Sequence, residues 1–338
     1  MDNSNYKETE MYKEIMQEPE SIIKTVDSIQ KSLNVAGVAL KKADFVFLVG
    51  NGTSYHAGRI MAQQLVLYGK PAMAVRASEF YCYASKWDRN VMAIMISQSG
   101  DNVDIIRATD MAISSGFNTM AVTNTIGSYI DRKCGISLIT AAGEEKSLAA
   151  TKSHIAQIAA LYALSERAFK NESIDTIKNK LTLISSHIEN ILSTRENLNN
   201  LYSRLLSKVI FLGDGYLYSV AKEGALKFEE TAGIPTEAYP LAEYLHGPIH
   251  ILSSTHTVII MGQQDTGAYK RVYDEISKIT KNIISIGPNE KSDIKIPGES
   301  GPLSSLLYLP VIQLMANWKT VSSGMDPDHP ERLKKIVK

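Results

Sequence analysis

The feature that most constrains this chain is an apolar run closed by Gly-x-Gly, and it occurs twice. Phe45-Val46-Phe47-Leu48-Val49 ends in Gly50-Asn51-Gly52, and Val209-Ile210-Phe211-Leu212 ends in Gly213-Asp214-Gly215. Gly50 and Gly213 lie 163 positions apart. A short, unbroken apolar run bounded by turn residues reads as a strand buried on both faces, the habit of a parallel sheet covered by helices. One matching strand-turn is slight evidence of duplication; the order of elements around it strengthens the reading. In the first half, strands at Phe45–Val49, Val91–Ile96, Met120–Thr123 and Ile136–Thr140 alternate with helices through Leu67 and Ile113. A long helix from near Ser147 to about Phe169 follows. Residues 170–206 contain no Pro or Gly and read as connecting helices. The pattern then restarts, with strands at Val209–Leu212, Thr257–Met261, Ile283–Ile286 and Ile294–Ile296. A last helix spans Ser304–Ser322, and Pro310 is expected to kink it.

The fold class expected is therefore α/β: two tandem subdomains, each a parallel sheet flanked by helices in a flavodoxin-like or doubly wound arrangement, plus a C-terminal tail. The expected boundaries are a helical lead-in at 1–28, a first subdomain at 29–169, connecting helices at 170–206, a second subdomain at 207–324 and a tail at 325–338. A length of 338 residues accommodates two such cores.

Charge and cysteine content narrow the function classes. Lys+Arg and Asp+Glu number 36 each, so nothing global favours nucleic acid or an anionic membrane, and any anion must be caught locally. Cys82 and Cys134 form no CxxC, which argues against a disulfide framework or thiolate metal cluster and suits a reducing compartment. The N-terminus is polar and the apolar runs are strand-sized, so a cytoplasmic protein without a membrane span is expected.

Ligands of open parallel sheets bind beyond the carboxyl ends of the strands. Two such ends carry hydroxyl residues at a helix start: Gly50-Asn51-Gly52-Thr53-Ser54 and Ser97-Gln98-Ser99-Gly100. Free backbone N–H groups, the helix dipole and hydroxyl donors together suit an anion. Thr53, Ser97 and Ser99 read alternatively as plain helix caps. Neither loop is GxxxxGK[ST] or GxGxxG.

Further along, Glu223, Lys227 and Glu230 share one helix face. Spacing alone favours a solvated salt-bridge ladder. Against that, the helix starts just after a Gly-x-Gly strand end, and Glu230 lies in its last turn before Gly233, where the helix dipole opposes a carboxylate's charge. Gly247-Pro248 breaks any helix after His246, which leaves the imidazole on a turn. The same proline spoils the His246/His250 spacing as a metal pair, so no metal is expected. The tail from Asp326 to Lys338 reads by itself as a frayed terminus.

Taken in order, Gly52-Thr53-Ser54, Ser97-Gln98-Ser99-Gly100, Ala150-Thr151-Lys152, Glu223-Gly224-Ala225-Leu226-Lys227, Glu230, His246-Gly247-Pro248 and the Asp328–Lys335 tail carry a resemblance. The chain resembles the sugar isomerase (SIS) domain family over nearly its whole length. Within that family it is similar to the isomerase half of glutamine–fructose-6-phosphate aminotransferase and to stand-alone glucosamine-6-phosphate deaminases. The resemblance implies that Thr53, Ser54, Ser97, Gln98 and Ser99 hold a sugar phosphate and that Glu230 moves a proton between C1 and C2. It implies that His246 opens the sugar ring, reaching the site from the partner subunit of a homodimer. Lys227 would assist proton movement, and Lys335 on a tail folding over the site would meet the open-chain carbonyl. It implies no metal or redox cofactor.

Three departures matter. The chain begins about where the aminotransferase's glutaminase domain ends, with no cysteine before Cys82, so ammonia release from glutamine by that route is not expected. Asn102 replaces the threonine usual after Ser-Gln-Ser-Gly and can still donate to phosphate. Ala150 replaces the aminotransferase's serine, which is closer to the stand-alone deaminases and deglycases. The expected activity is conversion of glucosamine 6-phosphate to fructose 6-phosphate and ammonia. The alternatives are a fructosamine-6-phosphate deglycase, an ammonia-dependent synthase served by a separate glutaminase subunit, and a non-catalytic sugar-phosphate sensor.

Overall fold

The computed structural model describes residues 3–194 and 199–333. Its strands are β1 (Phe45–Gly50), β2 (Ala72–Arg76), β3 (Val91–Ile96), β4 (Asn118–Thr123), β5 (Ile136–Ile139), β6 (Val209–Leu212), β7 (Thr236–Tyr239), β8 (Thr257–Met261), β9 (Ile283–Gly287) and β10 (Ile294–Lys295). The helices are α1 (Glu10–Met16), α2 (Glu18–Lys42), α3 (Gly52–Leu67), α4 (Val103–Ser114), α5 (Tyr129–Lys133), α6 (Lys152–Ser165), α7 (Ile174–Ser193), α8 (Asn199–Tyr202), α9 (Tyr216–Ala232), α10 (Leu241–Tyr244), α11 (Gly267–Ser277) and α12 (Pro302–Ser322). The chain divides into two units. A first-sheet unit holds Gln17–Glu145 and Ala150–Ser186; a second-sheet unit holds the described residues of Met1–Met16, Lys146–Ala149 and His187–Leu333.

Each unit is built on a five-stranded sheet in which every pairing is parallel. The orders are β2-β1-β3-β4-β5 and β7-β6-β8-β9-β10, one topology used twice. This is the flavodoxin-like doubly wound order, whose ligand crevice lies where the strand order reverses, between β1 and β3 or between β6 and β8.

The repeated Gly-x-Gly now has a physical cause. A Cβ on Gly50 would sit 2.9 Å from the backbone carbon of Ser54, and one on Gly213 would sit 2.7 Å from the backbone oxygen of Leu217. In both units the first glycine of the motif therefore packs against the helix backbone four residues on. The second glycine of each motif has positive φ, 49° at Gly52 and 59° at Gly215, where a side chain is disfavoured. Close approach and a positive-φ glycine together let a strand hand over to a helix within a few residues, from Gly50 to Gly52 and from Leu212 to Tyr216.

Burial follows the sheets. One side of the first sheet is an aromatic-rich core in which Phe47 stacks on Phe117 at 6.0 Å and meets Phe80 edge-on at 5.6 Å. All 14 residues of α6 are buried, as expected of an apolar helix enclosed on all sides. In the second unit α9 and α12 pack closely, with Gly224 leaving room for Phe211 and Ile312. Side-chain bonds from α12 hold the start of the chain. Asn317 Nδ2 donates to the Tyr6 carbonyl, and Thr9 Oγ1 donates to Asn317 Oδ1.

Three sequence expectations need correction. β2 and β7 have no counterpart among the expected strands; both are edge strands with partly exposed residues, β7 without an apolar run and β2 with only the short run Ala72–Val75 of small and flexible side chains. The helix expected from Ser147 begins at Lys152, because the Glu145 carboxylate accepts N–H bonds from Thr151 (2.9 Å) and Ser153 (3.2 Å), fixing the first turn there. That helix then passes at Glu166–Lys170 into a π-helical turn. The last helix starts at Pro302, two residues before the expected Ser304, and carries Pro310 inside it.

Candidate active site

In the first-sheet unit the two hydroxyl-bearing loops follow β1 and β3, which are paired neighbours with Val49 opposite Met95. They therefore flank the strand-order reversal. Asn51 Nδ2 ties them together by donating to Asp104 Oδ2 in the first turn of α4, at 2.9 Å. Its Oδ1 accepts from the Ser78 N–H at 3.4 Å.

The loop hydroxyls are not helix caps. Asn51 holds the N-cap position of α3, and Asn102 holds that of α4, where its Oδ1 accepts from the Ile105 N–H at 2.9 Å. Ser97 is buried, and its Oγ accepts from the Gly100 N–H at 3.1 Å and from Asn102 Nδ2 at 3.3 Å. Gln98 and Ser99 are half-buried at the mouth of the loop, and Thr53 is half-buried in the first turn of α3. Ser54 faces inward instead, accepting from Gln157 Nε2 of α6 at 3.1 Å, so it braces α3 against α6. The Asn102 side chain, expected as a phosphate donor, is engaged as a cap and as a partner of Ser97.

The second-sheet unit carries the charged triplet on α9. The solvated ladder favoured by spacing is not what forms. Lys227 and Glu223 are fully buried, while the Glu230 side chain is 24% exposed. The Lys227 ammonium donates to Glu230 Oε2 at 2.6 Å and lies 3.5 Å from Glu223 Oε1. Thr231 Oγ1 donates to the Lys227 carbonyl, and α9 ends at the next residue, Ala232, capped by Gly233 in the left-handed conformation. Glu230 is thus the carboxylate of the triplet that reaches the surface, with a buried cation holding one oxygen.

His246 is exposed on the turn 245–247, between α10 and a 3₁₀ turn at Pro248–Ile251. Gly247, at φ 144°, makes the break. The tail is anchored rather than frayed as far as it is described. Asp328 accepts from the N–H groups of Glu10 (2.7 Å) and Met11 (2.8 Å), capping α1 through both carboxylate oxygens. Lys335 lies outside the described residues. Among the described residues no group of three or more His, Cys, Asp or Glu is placed to hold a metal, and no helix is long and apolar enough to cross a membrane.

Several roles that matter here escaped the sequence reading. Asn102, just ahead of an apolar-periodic helix, carried a legible cap signal, whereas Asn51 takes the N-cap position of α3 without a side-chain cap bond. Gln157, Glu145 and Asp328 carried none, since each acts on a segment that only the fold brings near.

Fold and loops together define a doubly wound α/β protein, duplicated in one chain, with a pair of hydroxyl-bearing turns at the strand-order reversal of its first sheet. The chain belongs to the SIS domain family, whose model matches residues 39–167 and 206–294. Among curated relatives, the glutamine–fructose-6-phosphate aminotransferase (isomerizing) of Aquifex aeolicus is 32% identical over 97% of this chain and 57% of its own length. The chain therefore spans little more than half of the curated relatives it matches. In fold it is similar to the C-terminal domain of glucosamine-fructose-6-phosphate aminotransferase from Francisella tularensis. That match has a TM-score of 0.85 at 23% identity and covers 95% of this chain and 98% of the other. Glucosamine-6-phosphate deaminase from Thermotoga maritima superposes with a TM-score of 0.82 at 21% identity, covering 97% and 99%.

Proposed function

We propose that this protein interconverts the aldose and ketose forms of an amino-sugar phosphate, converting glucosamine 6-phosphate and water to fructose 6-phosphate and ammonia. The observation that carries the reading is the Lys227–Glu230 pair, a buried ammonium that holds a surface-reaching carboxylate at 2.6 Å. A carboxylate so held is a fixed base, and general acid–base chemistry at adjacent carbons needs little more. SIS membership and the hydroxyl loops beyond β1 and β3 support a phosphorylated substrate.

In this reading the loop of Ser97, Gln98 and Ser99, with Thr53, receives the phosphate. Ser54 and Asn102 shape that loop from behind. His246 assists opening of the sugar ring. Glu230 takes the C2 proton of the open-chain aldehyde to give an enolamine and returns a proton to C1. The resulting C2 imine adds water and releases ammonia, leaving the ketone. Lys227 orients Glu230 and balances its charge, and Lys335 is assigned to the open-chain carbonyl. The protein works in the cytoplasm as a homodimer in which His246 serves the partner's site.

The test is release of ammonia and fructose 6-phosphate from glucosamine 6-phosphate, with Glu230→Gln as control. The mutant should fall by about 10³-fold in kcat; inactive wild type or a fully active mutant overturns the proposal. Mixing His246→Ala and Glu230→Gln subunits should restore activity if the histidine crosses between subunits, and should restore none if it does not.

The 32% identity to a relative named as an aminotransferase favours a second reading, synthesis of glucosamine 6-phosphate with ammonia from a separate glutaminase subunit. Fructose 6-phosphate with ammonium, assayed for amino-sugar formation, separates the two directions.

A further inference from the structure

We propose that Asn102 is a positioning residue that makes the Ser97 hydroxyl a dedicated donor to the anion, and is not itself an anion ligand. The inference deepens the phosphosugar reading above and rests on it.

A serine oxygen has two lone pairs and one proton. At Ser97 both lone pairs are occupied, by the Gly100 N–H at 3.1 Å and by Asn102 Nδ2 at 3.3 Å. Ser97 is 4% exposed, and among the described residues no acceptor takes its proton. The hydroxyl is left one role, donation to an acceptor that enters the loop. A serine with a free lone pair also accepts from water or from a protonated ligand. This one suits an oxygen that only accepts, such as those of a phosphate.

Both filling donors are held from elsewhere. Asn102 Oδ1 accepts from the Ile105 N–H as the cap of α4, which fixes the amide's orientation. Flipping it would set the amide NH₂ against a backbone N–H, so Nδ2 must face Ser97. The Gly100 N–H is aimed by a backbone with φ of 70° that only glycine holds comfortably. A Cβ there would meet Ser128 Cβ at 2.6 Å and Thr123 Oγ1 at 3.0 Å. Ser128 and Thr123 are buried beneath the turn, so the loop's donor geometry is built from the sheet upward.

The experiment is a double-mutant cycle on the full chain, with inorganic phosphate affinity measured by calorimetry and KM and kcat measured for glucosamine 6-phosphate. Ser97→Ala should weaken phosphate binding by roughly 10- to 100-fold, the range for a hydrogen bond to a charged group. Asn102→Ala should weaken it by about tenfold, acting on KM more than on kcat. In the Ser97→Ala background, Asn102→Ala should cost nothing further, because its effect passes through Ser97. Independent, multiplying losses overturn the inference, since a direct ligand or a merely destabilised helix weakens both backgrounds alike. An Asn102→Ala protein with wild-type affinity overturns it too. Wild type that binds neither inorganic phosphate nor glucosamine 6-phosphate removes the phosphosugar reading as well. Wild type that binds them while the substitutions act independently removes this inference alone.

Discussion

The Lys227 ammonium, with no exposed surface of its own, donates to Glu230 Oε2 at 2.6 Å while Glu230 remains open to solvent. A buried cation thus orders a surface carboxylate, and the energetics are those of buried charge. Removing one member of a buried ionic group costs far more than the intact group contributes. Lys227→Met should destabilise the fold by about 3 kcal/mol, because the fully buried Glu223 loses its lysine. Adding Glu223→Gln should recover a substantial part of that loss. Urea midpoints for the single and double variants decide it; a Lys227→Met protein as stable as wild type contradicts the account.

Gly100 makes a separate demand. Ala at this position meets a left-handed φ and the Ser128 side chain beneath it. The cost should be about 3 kcal/mol in stability, combining backbone strain with overpacking. Phosphate affinity should drop together with stability, since the N–H that fills a Ser97 lone pair moves. The paired measurement is thermal melting with phosphate titration.

Asp328 caps α1 from the far end of the chain. Asp328→Ala should lower stability by roughly 1 to 2 kcal/mol, the usual worth of a cap. It should also speed proteolytic cleavage beyond α12, because the described part of the tail loses its tether. Limited proteolysis with mass mapping of the fragments tests this directly; an unchanged cleavage pattern argues against the tether.

At Asp293, burial opposes the charge. The Ser285 hydroxyl, the Arg204 guanidinium at 2.7 Å and the Ser285 N–H outweigh it and hold the carboxyl below its ordinary 3.8. A carboxyl depressed in the folded state adds stability that is present above the unfolded value and lost as pH falls through the folded one. Asp293→Asn should therefore be less stable than wild type at pH 7. The gap should close progressively below about pH 4. Urea denaturation of both proteins at pH 7 and pH 3 provides the comparison.

Much of the architecture was readable because it is local. β3, β6 and β8 begin and end where their apolar runs do, and His246 falls on the turn that Gly247-Pro248 requires. The strand-end loops were identified from their glycines and hydroxyls, and the repeated Gly-x-Gly is explained by the same backbone contact in both units. Less visible were features whose cause lies far along the chain. β7, with no apolar run of its own, is a strand because β6 offers an edge to pair with, and the short run of β2 becomes one beside β1. The start of α6 is set by Glu145, which no periodicity marks.

Local sequence alone thus decided the alternation of elements, the handover from strand to helix and the class of residue at each turn, since those follow from backbone conformation and burial of short runs. Tertiary structure alone decided that Lys227 and Glu223 are enclosed, not solvated, that Ser54 faces α6, and that Asn102 serves Ser97. A helix face has no inside until another element covers it. Nor does a hydroxyl have a committed proton until the donors around it are fixed in space.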